Sequence, residues 1–167
     1  MNSTKTFTTE RLTLKPLDNS DANFILELVN TDGWLTFIGN KNINSIEDAT
    51  AYIQKINDNE NINYWSVKLK DTSLPVGLIT LIKRDYLEYQ DIGFAFLPAF
   101  YNKGYAFEAA NTILSHLKSK NIKTINAVTL PANNISIKLI QKLGLRFEKE
   151  IENENIILQV YSASLIT

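Results

Sequence analysis

Residues that could carry chemistry gather in two stretches. The first is Tyr101-Asn102-Lys103-Gly104-Tyr105-Ala106, a small-residue turn with a lysine beside a glycine. It follows an apolar, aromatic run, Asp91 to Leu97, and precedes a segment whose apolar residues Ala106, Ala110, Ile113 and Leu117 recur at helical spacing. Strand, turn and helix N-terminus together suit a phosphate group. The first helical turn leaves N–H groups unpaired and carries partial positive charge. Gly104 lets the backbone come close, and Lys103 adds a full charge. Neither GxxxxGK[ST] nor GxGxxG occurs in the chain, so such a ligand is not held by a Walker or dinucleotide loop. The second stretch, residues 131 to 147 (PANNISIKLIQKLGLRF), places Asn133 and Ser136 at the start of a helix, where both also fit ordinary capping positions.

Few other groups compete. The chain has no cysteine, which excludes disulfides, thiolate metal sites and a cysteine acyl-enzyme. Its one histidine, His116, cannot alone build a zinc site, and late in its helix it suits a surface or capping role. No metal is expected. Glu108 is expected to face solvent in the first turn of the helix after Gly104. Glu152 and Glu154 fall on a hairpin tip. Trp34, Phe37 and Trp65 could wall a pocket or fill the core.

Composition sets the frame. At 167 residues, 44% apolar and 21% charged, the chain reads as one globular domain spanning 1–167. A net charge of −1 advertises no nucleic-acid face. No run is long enough to span a membrane and no signal-peptide core opens the chain, so a cytoplasmic protein without a membrane partner is expected.

The elements follow in order. Glu10–Leu17 alternates as a strand, and a helix capped by Asp18 or Ser20 presents Phe24, Ile25, Leu28 and Val29. Residues 31–40 form a loop or broken helix. Ser45 opens a helix packing through Ala49, Tyr52, Ile53 and Ile56. Three strands come next, at Tyr64–Leu69, Val76–Ile82 and about Tyr89–Leu97, the last interrupted by Pro98. After the helix behind Gly104 come a strand at Thr124–Leu130, parallel to its predecessor, and a helix at Asn134–Leu143 stopped by Gly144. A hairpin of Phe147–Ile151 and Ile156–Ser162 closes the chain. The expected fold is mixed α/β (α+β): one domain with about seven strands, mostly antiparallel, and helices on both faces.

This order, and the wording of both stretches, resembles the GCN5-related N-acetyltransferases (GNAT). Gly104 and Ala106 match the last fixed positions of the family's (Gln/Arg)-x-x-Gly-x-(Gly/Ala) motif, with Tyr101 where Gln or Arg is usual. Asn133, Ser136 and Gly144 match its N-x-x-(S/A)-x-x-x-x-x-x-x-G segment. TERLTLKPL and GFAFLPAFYNKGYAFEA look most like the branch that acetylates ribosomal-protein N-termini.

The resemblance implies acetyl-CoA as co-substrate, lying between two splayed parallel strands. Backbone groups of Ala95, Phe96 and Leu97 would meet the pantetheine arm, with an oxyanion donor near Leu97. Asn102, Lys103, Gly104, Tyr105 and Ala106 would meet the pyrophosphate, and Asn133 the arm. Asp91 is the base implied by family spacing, unless it is a solvated strand-start residue, and Ser136 is the candidate acid. Many members carry a tyrosine at the position of Ile140, so that role does not transfer. The acceptor would be a protein or peptide α-amine, or a small-molecule amine such as a polyamine or aminoglycoside. An alternative is a catalytically silent acyl-CoA-binding or sensing module, or a nucleotide-phosphate binder. A monomer or homodimer is expected.

Overall fold

The computed structural model describes residues 5–166. Its sheet has eight strands: β1 (Phe7–Thr8), β2 (Leu12–Pro16), β3 (Ile62–Leu69), β4 (Pro75–Ile82), β5 (Asp91–Phe96), β6 (Thr124–Thr129), β7 (Arg146–Asn153) and β8 (Ile156–Ser164). They lie side by side as β1-β2-β3-β4-β5-β6-β8-β7. Every adjacent pair is antiparallel except β5 and β6. The mostly antiparallel sheet with one parallel pair is as expected. The strand beyond the expected seven is β1, two residues that pair Phe7 with Leu14 and Thr8 with Thr13. So short a strand leaves no alternation to read.

Among the described residues five α-helices cover the sheet: α1 (Ala22–Leu28), α2 (Asp32–Phe37), α3 (Ile46–Asn57), α4 (Tyr105–Ser119) and α5 (Asn134–Lys142). Local chemistry sets their ends. Asp18 and Asp21 form a reciprocal capping box before α1. The hydroxyls of Thr31 and Ser45 accept from Trp34 N and Asp48 N to start α2 and α3. The segment 31–40 is thus a short helix followed by a turn. Gly144, at φ +94°, ends α5 while Gly144 N and Leu145 N bond back to Gln141 O and Ile140 O. Glu154 and Asn155, both at positive φ, make the tight turn between β7 and β8.

Two apolar cores sit on opposite faces. On one face α4 and α5 bury Ala109, Ala110, Ile113 and Ile140 against Ile79, Ile92 and Phe96. On the other, α1, α2 and α3 bury Phe24, Ile25, Trp34 and Ile53 against Leu78 and Leu97. Alternation along β5 therefore assigns Ile92, Phe94 and Phe96 to the α4 face and Asp91, Gly93 and Ala95 to the α1–α3 face. Among the described residues no helix is long and apolar enough to cross a membrane.

Candidate active site

The sheet opens at its parallel pair. β5 pairs with β4 along its full length, from Asp91↔Ile82 to Phe96↔Gly77. β6 pairs with β8 from Thr124 to Thr129. Between β5 and β6, however, the register contains one pair, Asp91↔Asn126, joined by Asn126 N donating to Gln90 O at 2.9 Å. Beyond that apex the two strands part. A cavity of about 730 Å³ fills the opening, lined from β5 by Phe94, Ala95 and Phe96 and from β6 by Val128 and Thr129.

Hydrogen-bond parity tells which backbone groups face this gap. Leu97 N donates to Val76 O (2.9 Å) and Leu97 O accepts from Phe100 N (2.9 Å), so both of its main-chain groups are engaged. Ala95, two residues earlier, faces β4 in the same way, opposite Leu78. Phe96, between them, turns its N–H and C=O toward the gap. Leu97, near which an oxyanion donor is expected, therefore turns its N–H away from the gap while Phe96 offers one to it, because consecutive residues of one strand face opposite edges. The Phe96 ring lies across Gly77 on β4, where a Cβ would come within 2.5 Å of it.

At the mouth of the gap stands the turn before α4. Pro98–Phe100 form one turn of 3₁₀ helix, then Asn102 (φ +59°) and Gly104 (φ +79°) reverse the chain. Gly104 is the N-cap of α4 and has no side chain to bond the helix's first N–H groups. The first bond back is Glu108 N to Gly104 O, at 3.0 Å. The N–H groups of Tyr105, Ala106 and Phe107 thus lack an intrahelical acceptor at the end carrying the positive dipole. Asn102, Gly104, Tyr105 and Ala106 line the cavity, and Lys103 is an exposed cation on the same turn. The turn thus offers unpaired N–H groups and a cation at the mouth of the cavity.

On the α4–α5 face the cavity reaches Asn133 and Ser136. The Asn133 side-chain oxygen caps α5 by accepting from Ser136 N at 3.3 Å, which leaves its amide NH₂ for another partner. Ser136 is half-buried beside it. Ile140, at the position the family resemblance compares with a tyrosine, is 1% exposed and part of the core.

On the α1–α3 face the cavity meets a polar cluster that sequence reasoning identified only in part. Asp91 is 3% exposed, which removes the solvated alternative. Its Oδ2 accepts from Arg84 Nε at 3.0 Å, while its buried Oδ1 has no hydrogen-bond partner among the described residues. Burial pushes the Asp91 carboxyl above its ordinary value, and the adjacent Arg84 guanidinium opposes that shift. Tyr64 and Thr80 come from β3 and β4 at paired positions and line the same wall. The Tyr64 phenol, hydrogen-bonded to that of Tyr52, is raised chiefly by burial. Arg84, Tyr64 and Thr80 carry no local signal, since their convergence depends on strand register. α2 closes this side with Trp34 and Phe37. Trp34 Nε1 is likewise buried without a hydrogen-bond partner among the described residues.

Several expected roles fall away. Trp65 is 2% exposed in the core, its Nε1 bonded to Lys5 O at 3.1 Å, and it does not line the cavity. Glu108 does not face solvent freely. It accepts from Thr9 Oγ1 (2.5 Å), Arg11 N (3.1 Å) and Arg11 Nε (2.8 Å). Glu152 and Glu154 are exposed on the hairpin and are not among the lining residues. His116 is half-buried edge-on against Phe7, with ring centroids 5.0 Å apart. Its pKa is lowered by burial and by the charges of Lys5 and Lys120.

A sheet split at one parallel pair, with an uncapped helix N-terminus at the mouth, forms a groove open to an extended ligand that carries a phosphate group. Family comparison says which ligand: residues 11–146 match the acetyltransferase (GNAT) domain. The chain therefore belongs to the GNAT acetyltransferases, enzymes that use acetyl-CoA. It is 32% identical over 142 residues to an uncharacterised N-acetyltransferase, YnaD, of Bacillus subtilis, covering 84% of this chain and 82% of that protein. A GNAT-family acetyltransferase structure from Bacillus anthracis superposes with a TM-score of 0.80 at 25% identity, covering 96% and 99% of the two chains. A Vibrio cholerae protein proposed to be a ribosomal-protein-serine acetyltransferase has a TM-score of 0.80 at 18% identity, covering 98% and 99%. At that identity the last likeness speaks for the fold alone.

Proposed function

We propose that this enzyme acetylates the α-amine of a protein or peptide by direct attack within a ternary complex. The observation that carries the proposal is the split between β5 and β6, which opens one cavity to both faces of the sheet. The thioester arm enters from the α4–α5 side, adding to the free edge at Phe96 as an extra strand would. The acceptor enters from the α1–α3 side, past Trp34 and Phe37.

The amine nitrogen attacks the thioester carbonyl carbon, and the oxyanion is met by the Phe96 N–H. Asp91, on the acceptor face, takes the proton the nitrogen must lose. As the C–S bond breaks, Ser136 on the opposite face donates toward the departing thiolate. Base and acid thus stand on opposite sides of the scissile bond, as direct transfer requires.

An α-amine is favoured on chemical grounds. With a pKa of roughly 8 it is about 10% neutral at pH 7, whereas a lysine-type amine at roughly 10.4 is neutral to less than about 0.1%. A carboxylate held partly in check by Arg84 is a modest base, adequate for the first and poor for the second. The opening strand TERLTLKPL, with its likeness to the ribosomal-protein branch, leans the same way.

Release of free CoA thiol across an amine panel tests this. Peptides with free N-termini are expected to turn over fastest, ahead of Nα-blocked lysine peptides, polyamines and aminoglycosides. Turnover confined to a small-molecule amine would overturn the peptide assignment. Tight acetyl-CoA binding with no turnover on any amine would overturn catalysis as proposed.

A further inference from the structure

We infer that Arg11, at the start of β2, is a positioning residue that sets the donor site by bracing the turn before α4. Its guanidinium makes three contacts with that turn and helix. Nη1 donates to Lys103 O at 2.9 Å, and Nε donates to Glu108 Oε1 at 2.8 Å. Its Cζ lies over the Tyr105 ring, 4.5 Å from the ring centre. Glu108 is itself fixed by Arg11 N and Thr9 Oγ1. Lys70 N donates to Arg11 O at 2.8 Å, which ties the brace to the end of β3.

The consequence follows from peptide geometry. In a trans peptide the carbonyl of one residue and the N–H of the next point to opposite sides. Holding Lys103 O on the Arg11 side therefore turns the Gly104 N–H away from β2. Gly104 also sits against this brace, since a Cβ there would lie 3.3 Å from Arg11 Nη2. The pair Arg11–Glu108 is partly exposed, with side chains 42% and 21% accessible, so its direct worth to stability is small. Three directed contacts on one turn instead fix where its N–H groups point. Lysine cannot substitute, because a point charge has no planar fork to bridge a carbonyl and a carboxylate while stacking on a ring.

The inference rests on the donor reading of the turn, and the test separates the two. CoA binding is measured by calorimetry, and binding of acetyl-pantetheine, which lacks the pyrophosphate, by ligand-observed NMR. Wild type, Arg11→Ala, Arg11→Lys and Glu108→Gln are compared. Arg11→Ala and Arg11→Lys are expected to weaken CoA by about tenfold while changing acetyl-pantetheine by less than about twofold. Glu108→Gln, which keeps the Lys103 and Tyr105 contacts, is expected to fall between. Equal weakening of both ligands would mark Arg11 as merely structural, and undiminished CoA binding would also overturn the brace. If wild type itself fails to bind CoA, the donor reading fails first and takes the brace with it.

Discussion

Asp91 is pulled in two directions, and the balance sets the chemistry available at neutral pH. Burial raises its carboxyl and Arg84 lowers it, so the ion pair keeps a buried acid ionisable. Asp91→Asn, which removes the proposed base at nearly constant shape, is expected to reduce kcat/KM for a peptide α-amine by about 10²–10⁴-fold. Arg84→Met tests the balance. Without the guanidinium the carboxyl rises further, so the acidic limb of the pH–rate profile should move to higher pH. An unmoved limb would show that another group titrates there. Asp91 was marked in the sequence by the resemblance and by its place at the head of a strand. Its burial, and the convergence of Arg84 and Tyr64 upon it, were not legible, because they depend on a register linking β3, β4 and β5. Ser136 and Asn133 were legible as helix-start residues, but the same letters serve any capped helix.

At the scale of elements, the split between β5 and β6 is held open by what each strand does with its other neighbour. β4 takes every residue of β5 from Asp91 to Phe96, and β8 takes all of β6. Gly77 contributes by letting the Phe96 ring lie flat across β4. Gly77→Ala would drive a methyl into that ring, and either the ring or the strand must shift. A stability loss of about 1–3 kcal/mol is expected, read from the urea midpoint. It should be accompanied by weaker acetyl-CoA binding, because the shift misplaces the Phe96 N–H. Stability loss with unchanged affinity would show that Phe96 does not address the donor. Periodicity revealed β4 and α4 well and placed β2, β3 and β5 to within two residues or so of their ends. It missed β1, which has too few residues to alternate, and it could not show that Leu97 and Ala95 face β4 while Phe96 faces the gap. Parity needs one hydrogen bond as its origin, here Leu97 N to Val76 O.

Across the whole molecule, the proposed function divides labour between the faces of the sheet. α4 and α5 lie on the side of the proposed donor, with the uncapped turn at Gly104 and the Asn133–Ser136 helix start. α1, α2 and α3 lie on the side of the proposed acceptor, where Trp34, Phe37 and Asp91 line the same cavity. Element order was enough to anticipate helices on both faces. It could not say which aromatic residues reach the cavity, and Trp65, similar in type to Trp34, lies sealed in the core. Glu152 and Glu154 lie off the cavity as well. Replacing both with glutamine is expected to leave the KM of a cationic acceptor within about twofold, a change of less than about 0.5 kcal/mol at exposed sites. A larger rise would draw the hairpin into acceptor binding.

The central claim is that a diphosphate at Gly104 and an acyl arm along Phe96 share one ligand, seated where β5 leaves β6. Amide hydrogen exchange followed by NMR with and without acetyl-CoA tests it residue by residue. The account predicts new protection at the N–H groups of Phe96, Gly104, Tyr105 and Ala106, with β2 and β3 unchanged. Saturating acetyl-CoA that protects none of these amides, or that protects the β7–β8 hairpin instead, would contradict it.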